Sequence, residues 1–267
     1  MKVPVFDLDG KEVEKIDLPA IFSADYRPDL IRRAFYALRS HSIQPQGRDP
    51  MAGMKTSAMS WNTGRGVARM ARVKGERHPR SGQAAGVASV VHGRQAHPPV
   101  SQKVVKQKIN RNERRLALIS AIAATARKDV VVSRGHEIEY VQALPIVVSD
   151  DIQSISRAKD LKALLTKLNL EKEVKRISDG VRSLSGISRL RGRARRQAVG
   201  PLIVGATDLG IGKASDAFPG VRFVSASNLS TLDLAPGAHP GRLVLWSKSS
   251  LTALPEALYQ KVIVIAT

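Results

Sequence analysis

The chain has 267 residues, with 43 Lys and Arg against 23 Asp and Glu, which gives a formal net charge of +20 and a pI near 10.7. Such an excess repels itself unless a polyanion neutralises it, so nucleic acid is the first partner class expected and an anionic membrane surface the second. The lack of Cys excludes disulfides and Cys-based zinc sites. No run of ~18 or more apolar residues exists and MKVPVFDLDG has no apolar signal core, so a soluble cytoplasmic protein without a membrane span is expected.

In chain order, Val3 to Phe6, the turn Asp9-Gly10 and Val13 to Leu18 predict a hairpin. Pro28 opens a helix with an apolar face of Leu30, Ile31, Ala34, Phe35 and Leu38. The pattern stops at His41. Between Leu38 and Leu116 there is no Leu, Phe or Tyr, yet sixteen Lys and Arg. A stretch with so little apolar material cannot offset a backbone entropy of ~1–2 kcal/mol per residue, so it takes its shape from something outside itself.

Residues 42–109 are therefore predicted to form an extended basic loop inserted in a body made of residues 1–41 and 110–267. The loop carries Arg48, Lys55, Arg65, Arg69, Arg72, Lys74, Arg77, Arg80, Arg94, Lys103, Lys106 and Lys108 against only Asp49 and Glu76. Glycines between the arginines let the backbone approach phosphates, and guanidinium groups bind phosphate in two-pronged fashion. The spacing of Arg65, Arg69 and Arg72 would place them on one side of a helical turn, although the glycines disfavour a regular helix. Trp61 is a candidate platform for an unpaired base. An excursion of ~70 residues has arms of ~35 and reaches on the order of 100 Å at full stretch, a length that suits a large folded RNA. A disordered basic tail is the bland alternative.

Helical periodicity returns at Arg111, where Arg111, Arg114 and Arg115 precede Leu116, Leu118, Ile119, Ile122, Ala123 and Ala126. Strands are then predicted at Val130 to Val132, Leu144 to Val148, Pro201 to Gly205, Val221 to Ser225, Arg242 to Trp246 and Val262 to Ile265. Ala158 to Leu170 and then Glu171 to Ile177 are predicted as one or two amphipathic helices, and Ser249 to Gln260 as a crossover helix. Short apolar strands alternating with helices predict a three-layer α/β body with a mostly parallel sheet. A second basic island interrupts it, with Arg182, Arg189, Arg191, Arg193, Arg195 and Arg196 and no acid.

The chain resembles a known family, the universal fourth protein of the large ribosomal subunit in its archaeal and eukaryotic form. The matching stretches are Ser60 to Arg69 (SWNTGRGVAR), His97-Pro98-Pro99-Val100, Asn112 to Ala117 with Ser120 to Ala126, Leu144 to Val148, and Leu234 to Gly237 through His239, Gly241 to Leu243 and Trp246. The resemblance covers nearly the whole chain in order. It implies a structural, non-catalytic protein that binds large-subunit ribosomal RNA, packs against neighbouring ribosomal proteins in the cytoplasmic ribosome and assists early assembly. It also implies that the loop's middle, about Met70 to Gly82, reaches the wall of the nascent-peptide exit tunnel. Met70, Arg72, Lys74, Gly75, Arg77 and His78 would lie closest to the nascent polypeptide, with the loop turning at Arg72 to Arg80.

Enzyme-like signals are weaker. Phe6-Asp7-Leu8-Asp9-Gly10 is similar to the nucleophile motif of haloacid-dehalogenase-type phosphatases, in which Asp7 would attack phosphate and Asp9 act as acid and base. Ile146-Val147-Val148-Ser149-Asp150-Asp151 resembles their distal acidic motif at a strand end. Lys11 departs from that pattern, and an Asp-Gly turn with capping aspartates explains the same residues. Asp208 to Lys213 hints at a phosphate loop, but Thr207 stands where a Walker pattern needs Gly. An RNA-modifying enzyme would need a Gly-rich cofactor turn after the first strand, and Gly10-Lys11-Glu12 is not one. A basic nucleoid protein would favour terminal tails over an internal finger. His41, His78, His92, His97, His136 and His239 show no metal-ligand spacing, so neither a metal nor a cofactor is expected.

Overall fold

The computed structural model describes residues 2–254, and it divides into two units, Met1–Arg39 with Lys108–Thr267, and Ser40–Gln107. The chain starts with the hairpin β1 (Lys2–Phe6) and β2 (Glu12–Asp17), followed by helix α1 (Pro28–Ser40). Ser40–Gln107 contributes two short strands, β3 (Ala58–Ser60) and β4 (Ala71–Val73). The first unit resumes with α2 (Arg111–Thr125), α3 (Lys128–Ser133), β5 (Ile146–Val148), α4 (Ala158–Lys167) and α5 (Glu171–Asp179). A small protrusion follows, made of β6 (Arg182–Ser183), α6 (Gly186–Leu190) and β7 (Arg195–Arg196). The last elements are β8 (Leu202–Gly205), α7 (Ile211–Asp216), β9 (Arg222–Ser225), α8 (Thr231–Leu234), β10 (Val244–Ser247) and α9 (Lys248–Thr252).

Six strands form one sheet in the order β2-β1-β5-β10-β8-β9. Among the described strands of this sheet only the β1–β2 pair is antiparallel, and the others run parallel, with Val5 opposite Val147, Trp246 opposite Val147 and Val204, and Ile203 opposite Phe223. Parallel central strands are buried on both faces, which is why they appear as continuous apolar runs. Side chains alternate between two cores. Val3, Val5, Val147, Val204, Val244 and Trp246 pack on one face with Ile31, Ile119 and Ile122. Phe6, Ile146, Val148, Ile203 and Leu245 pack on the other with Leu161, Leu164 and Leu165. The three-layer, mostly parallel body expected from the sequence is thus present.

Helix α2 is buried continuously from Ile119 to Thr125, because its alanines leave room for close approach. Asn110 caps it by accepting from the Asn112 N–H at 3.1 Å. Two expectations need correction. Val130 to Val132 is not a strand but the middle of α3, with Val130 and Val131 buried and Val132 half exposed. A three-residue apolar run has no period of its own, so it cannot discriminate the two states. The helix expected from Ser249 starts one residue earlier and stops at Thr252. Its remainder, Pro255 to Gln260, lies outside the described residues, as does the strand expected at Val262 to Ile265. The expected helical stretch from Ala158 resolves into two helices, with Asn169 at φ +59° between them.

Burial also encloses an ionic cluster. Glu173 is fully buried, and its carboxylate accepts from Arg176 Nε at 2.8 Å and Nη2 at 2.7 Å, from the Glu137 N–H at 3.1 Å and from His136 Nδ1 at 2.6 Å. His136 Nε2 accepts the Leu243 N–H at 3.3 Å, so the proton sits on Nδ1 and the ring is neutral. Desolvation pushes the His136 pKa below 6.5 despite the pull of Glu173. The cluster ties α5 to the residue just before β10 and to the segment after α3.

Gly241 makes a tight backbone approach beside this cluster. Its φ is +87°, and a Cβ there would lie 2.6 Å from the Val130 carbonyl oxygen. Gly241→Ala is expected to lower stability by about 1–3 kcal/mol, since the left-handed strain and the clash act together. Urea unfolding of the full chain measures this, and an unchanged midpoint would contradict the tight approach.

Candidate nucleic-acid interface

Within Ser40–Gln107 the two arms run side by side. The Gln107 N–H donates to Ser40 Oγ at 2.9 Å, and His41 Nε2 meets the Gln107 carbonyl at 3.0 Å. Further along, the Arg48 N–H donates to the Pro99 carbonyl at 3.1 Å and Arg48 Nη1 to Gln95 Oε1 at 3.1 Å. At Gly53 (φ +83°) the backbones approach so closely that a Cβ would stand 2.4 Å from the Gly93 oxygen.

Beyond this zipper, β3 and β4 pair antiparallel, with Met59 opposite Arg72. Arg72 bridges on to Ala84, and the Val73 N–H donates to the Gln83 carbonyl at 2.9 Å. Val73 and Ala85 are the only buried residues from 41 to 107. Two residues do not make a core, so what orders the segment here is backbone hydrogen bonds and close glycine contacts.

Arg65, Arg69 and Arg72 do not share a helical turn. Arg72 lies in β4, Arg69 just before it, and Arg65 in the connection between β3 and β4, because the β pairing satisfies backbone groups that glycines would leave poorly ordered in a helix. Trp61 is flanked by two of them, with the Arg65 and Arg72 guanidiniums 5.6 and 5.5 Å from its ring centroid. Gly82 lies on the ring as well, and its carbonyl accepts from Arg72 Nη1 at 2.8 Å. Trp61 is therefore the centre of a local cation–π cluster.

The chain turns twice in this region, once between β3 and β4 and again over residues 74–82, where the Ser81 N–H donates to the His78 carbonyl at 2.8 Å. Met70 lies at the end of the first turn. Lys74, Gly75, Arg77 and His78 lie exposed in the second, and Arg80 is half buried. Lys55 is committed to Asp49 at 2.6 Å and holds that carboxylate below its usual pKa. Arg94, Lys103 and Lys106 are exposed.

In the other unit, Lys108, Arg111 and Arg114 are exposed at the start of α2, and Arg115 is half buried. The arginine island folds into a hairpin, with Arg182 opposite Arg196 and Ser183 opposite Arg195. Arg189, Arg191, Arg193, Arg195 and Arg196 are all exposed on it, beside Ile187 and Leu190, which are 66% and 87% exposed. Isolated basic residues in the body were missed by sequence reasoning. Arg242 is buried and donates to the Gly200 and Asp233 carbonyls at 2.8 and 2.9 Å, while Arg134 donates to the His239 and Pro236 carbonyls. Neither belongs to a charged run, so no pattern marks it.

The enzyme-like motifs have other partners. Asp7 Oδ1 accepts the Leu8 N–H at 2.7 Å, and Asp9 pairs with Lys167 Nζ at 2.5 Å. Carboxyl ends of parallel strands commonly form ligand crevices. Here buried Gln153 fills the gap, bonding Ser249 Oγ at 2.7 Å, Ser247 Oγ at 3.3 Å and the Thr207 N–H at 3.0 Å. Asp208 Oδ1 accepts the Gly210 and Gly212 N–H groups at 2.9 and 3.2 Å, so the loop that hinted at phosphate holds its own carboxylate.

The model of the ribosomal protein L4/L1 family matches residues 16–257. The chain belongs to the ribosomal protein L4/L1 family. It is 44% identical over 258 residues to large ribosomal subunit protein uL4 of Methanopyrus kandleri, covering 97% of this chain and 99% of that protein. It is 45% identical to the uL4 of Methanothrix thermoacetophila, over 97% of this chain and all of the relative. With the uL4 of Sulfurisphaera tokodaii it shares 42% over 254 residues, 95% of this chain and 93% of the relative. These archaeal relatives agree with the archaeal form of the resemblance. L4/L1 proteins are structural ribosomal constituents, so this chain is a ribosomal protein and not an enzyme.

Proposed function

We propose that the chain is a structural constituent of the large ribosomal subunit, gripping large-subunit ribosomal RNA with segment 42–109 and with the hairpin 182–196. In this reading it assists early assembly and sits in the cytoplasmic ribosome beside neighbouring ribosomal proteins. Met70, Arg72, Lys74, Gly75, Arg77 and His78 approach the wall of the exit tunnel along which the nascent polypeptide passes. One observation carries the RNA contact: residues 42–109 hold twelve Lys and Arg against two acids, and only Val73 and Ala85 among them are buried. A segment so charged and so poorly buried gains its stability from a polyanion that neutralises it.

The test is the salt dependence of binding to naked large-subunit RNA. Replacing Arg65 and Arg69 by Gln should flatten the log–log slope by about 1.4–1.8, at 0.7–0.9 per phosphate contact. Arg72→Gln should act differently. Arg72 packs on Trp61 and bonds Gly82, so its loss should raise amide exchange over residues 71–85. Unchanged slopes in the Arg65 and Arg69 variant would show that these side chains do not meet phosphates.

A further inference from the structure

A cavity of about 530 Å³ opens on the body, and its lining includes Tyr26, Ser133, Arg134, His136, Arg176 and His239. Its charge is unbalanced. Glu173 is the carboxylate in contact with this group, and it is already bound by Arg176, His136 and the Glu137 N–H. Arg176 Nη2 also donates to the Val199 carbonyl at 3.0 Å, which fixes that guanidinium at the rim. Arg134 is held by the His239 and Pro236 carbonyls, and among the described residues no carboxylate lies within ion-pair distance of it. Its pKa is lowered to about 10, by desolvation first and by Arg176 second. A partly desolvated cation beside a like charge and without a counterion is costly, and an anion in the cavity would offset that cost.

We propose that this cavity is a built phosphate site, in which Arg134 and Arg176 hold one backbone phosphate of the ribosomal RNA. The proposal rests on the RNA-binding reading above and adds a third contact to the loop and the hairpin. Position favours a phosphate over the carboxylate of a neighbouring protein. Ala198 and Val199 line the cavity and come just after β7, with Gln197 between, so the cavity lies at the root of the arginine hairpin. A phosphate chain gripped by Arg189 to Arg196 can continue into it. A single acidic side chain would neutralise the cavity and leave that row of arginines unmatched. The two guanidiniums are also pre-positioned by carbonyls and by Glu173, and the bonds to Glu173 and Val199 leave the Arg176 Nη1 hydrogens for an anion.

Phenylglyoxal modification of the full chain, read residue by residue by mass spectrometry, tests the site. The probe is naked large-subunit RNA, compared with the free chain. Arg134 should react several-fold more slowly in the complex, together with Arg189 to Arg196. Protection of Arg189 to Arg196 with Arg134 reacting at its free rate would overturn the site and leave the RNA-binding reading intact. Protection of none of them would overturn that reading as well. Protection of Arg134 only in the assembled subunit would assign the cavity to a protein carboxylate and defeat the proposal. A second measurement does not depend on reagent access. Arg134→Gln should reduce the salt slope by about 0.7–0.9 and Arg134→Lys should restore it, whereas equal slopes for all three proteins would sink the proposal.

Discussion

Glu173→Gln should destabilise the body by about 3–5 kcal/mol, measured by urea unfolding at pH 7. The effect is large because the carboxylate is fully buried and bonded on every side. Removing its charge leaves Arg176 with no anionic partner and strips His136 of the carboxylate that fixes its tautomer. The same cluster sets a pH dependence. Burial alone would raise the Glu173 pKa, but hydrogen bonds from Arg176, His136 and the Glu137 N–H outweigh it and lower the value from 4.5 to about 2. In the unfolded chain the carboxyl takes up its proton near 4.5, before the folded one does. The stabilisation is therefore complete above pH ~4.5 and is lost as pH falls from there toward 2. His136 contributes in the same direction, because its folded pKa lies below 6.5 and the unfolded chain binds a proton first as pH falls through that value. The wild-type minus Glu173→Gln stability difference should therefore shrink as pH is lowered from about 5 to 2. A difference that stays constant over that window would show that Glu173 is not ionised in the folded protein.

This cluster also marks where the sequence stops being legible. His136 and Glu173 are separated by a strand and a helix, and nothing in their local patterns joins them. His136 looks like one of six unremarkable histidines until the fold brings α5 against the residues after α3. By contrast, Ile146-Val147-Val148 and Leu202 to Gly205 announce themselves as buried strands, since both faces of the sheet are covered and every position must be apolar. Val130 to Val132 carry the same residue types and fold as a helix, because Asp129 in the first turn and Gly135 (φ +92°) past the end supply helix start and stop signals that three valines do not outweigh. The basic segments were legible as charge but not as shape. Composition shows that residues 42–109 lack a core. It does not show that Trp61 gathers Arg65 and Arg72 about itself, or that the arginine island closes into a β6–α6–β7 hairpin.

The hairpin should carry the largest single share of electrostatic affinity in the body. Replacing Arg189, Arg191, Arg193, Arg195 and Arg196 together by Gln is expected to flatten the salt slope for large-subunit RNA by up to about 3.5–4.5, at 0.7–0.9 per phosphate. All five side chains are exposed, and none forms an ion pair among the described residues. The β6–β7 pairing is made by backbone groups, so the substitutions leave it in place. Stability should therefore stay within about 0.5 kcal/mol of the parent, and lost affinity can be ascribed to lost contacts rather than to unfolding. Combining the five changes with Arg65→Gln and Arg69→Gln then asks whether loop and hairpin meet different phosphates. Separate contacts predict slope changes that add. A combined change no larger than that of the hairpin alone would mean that the two basic elements compete for one stretch of RNA backbone, and the picture of an internal finger with a separate anchor on the body would fail.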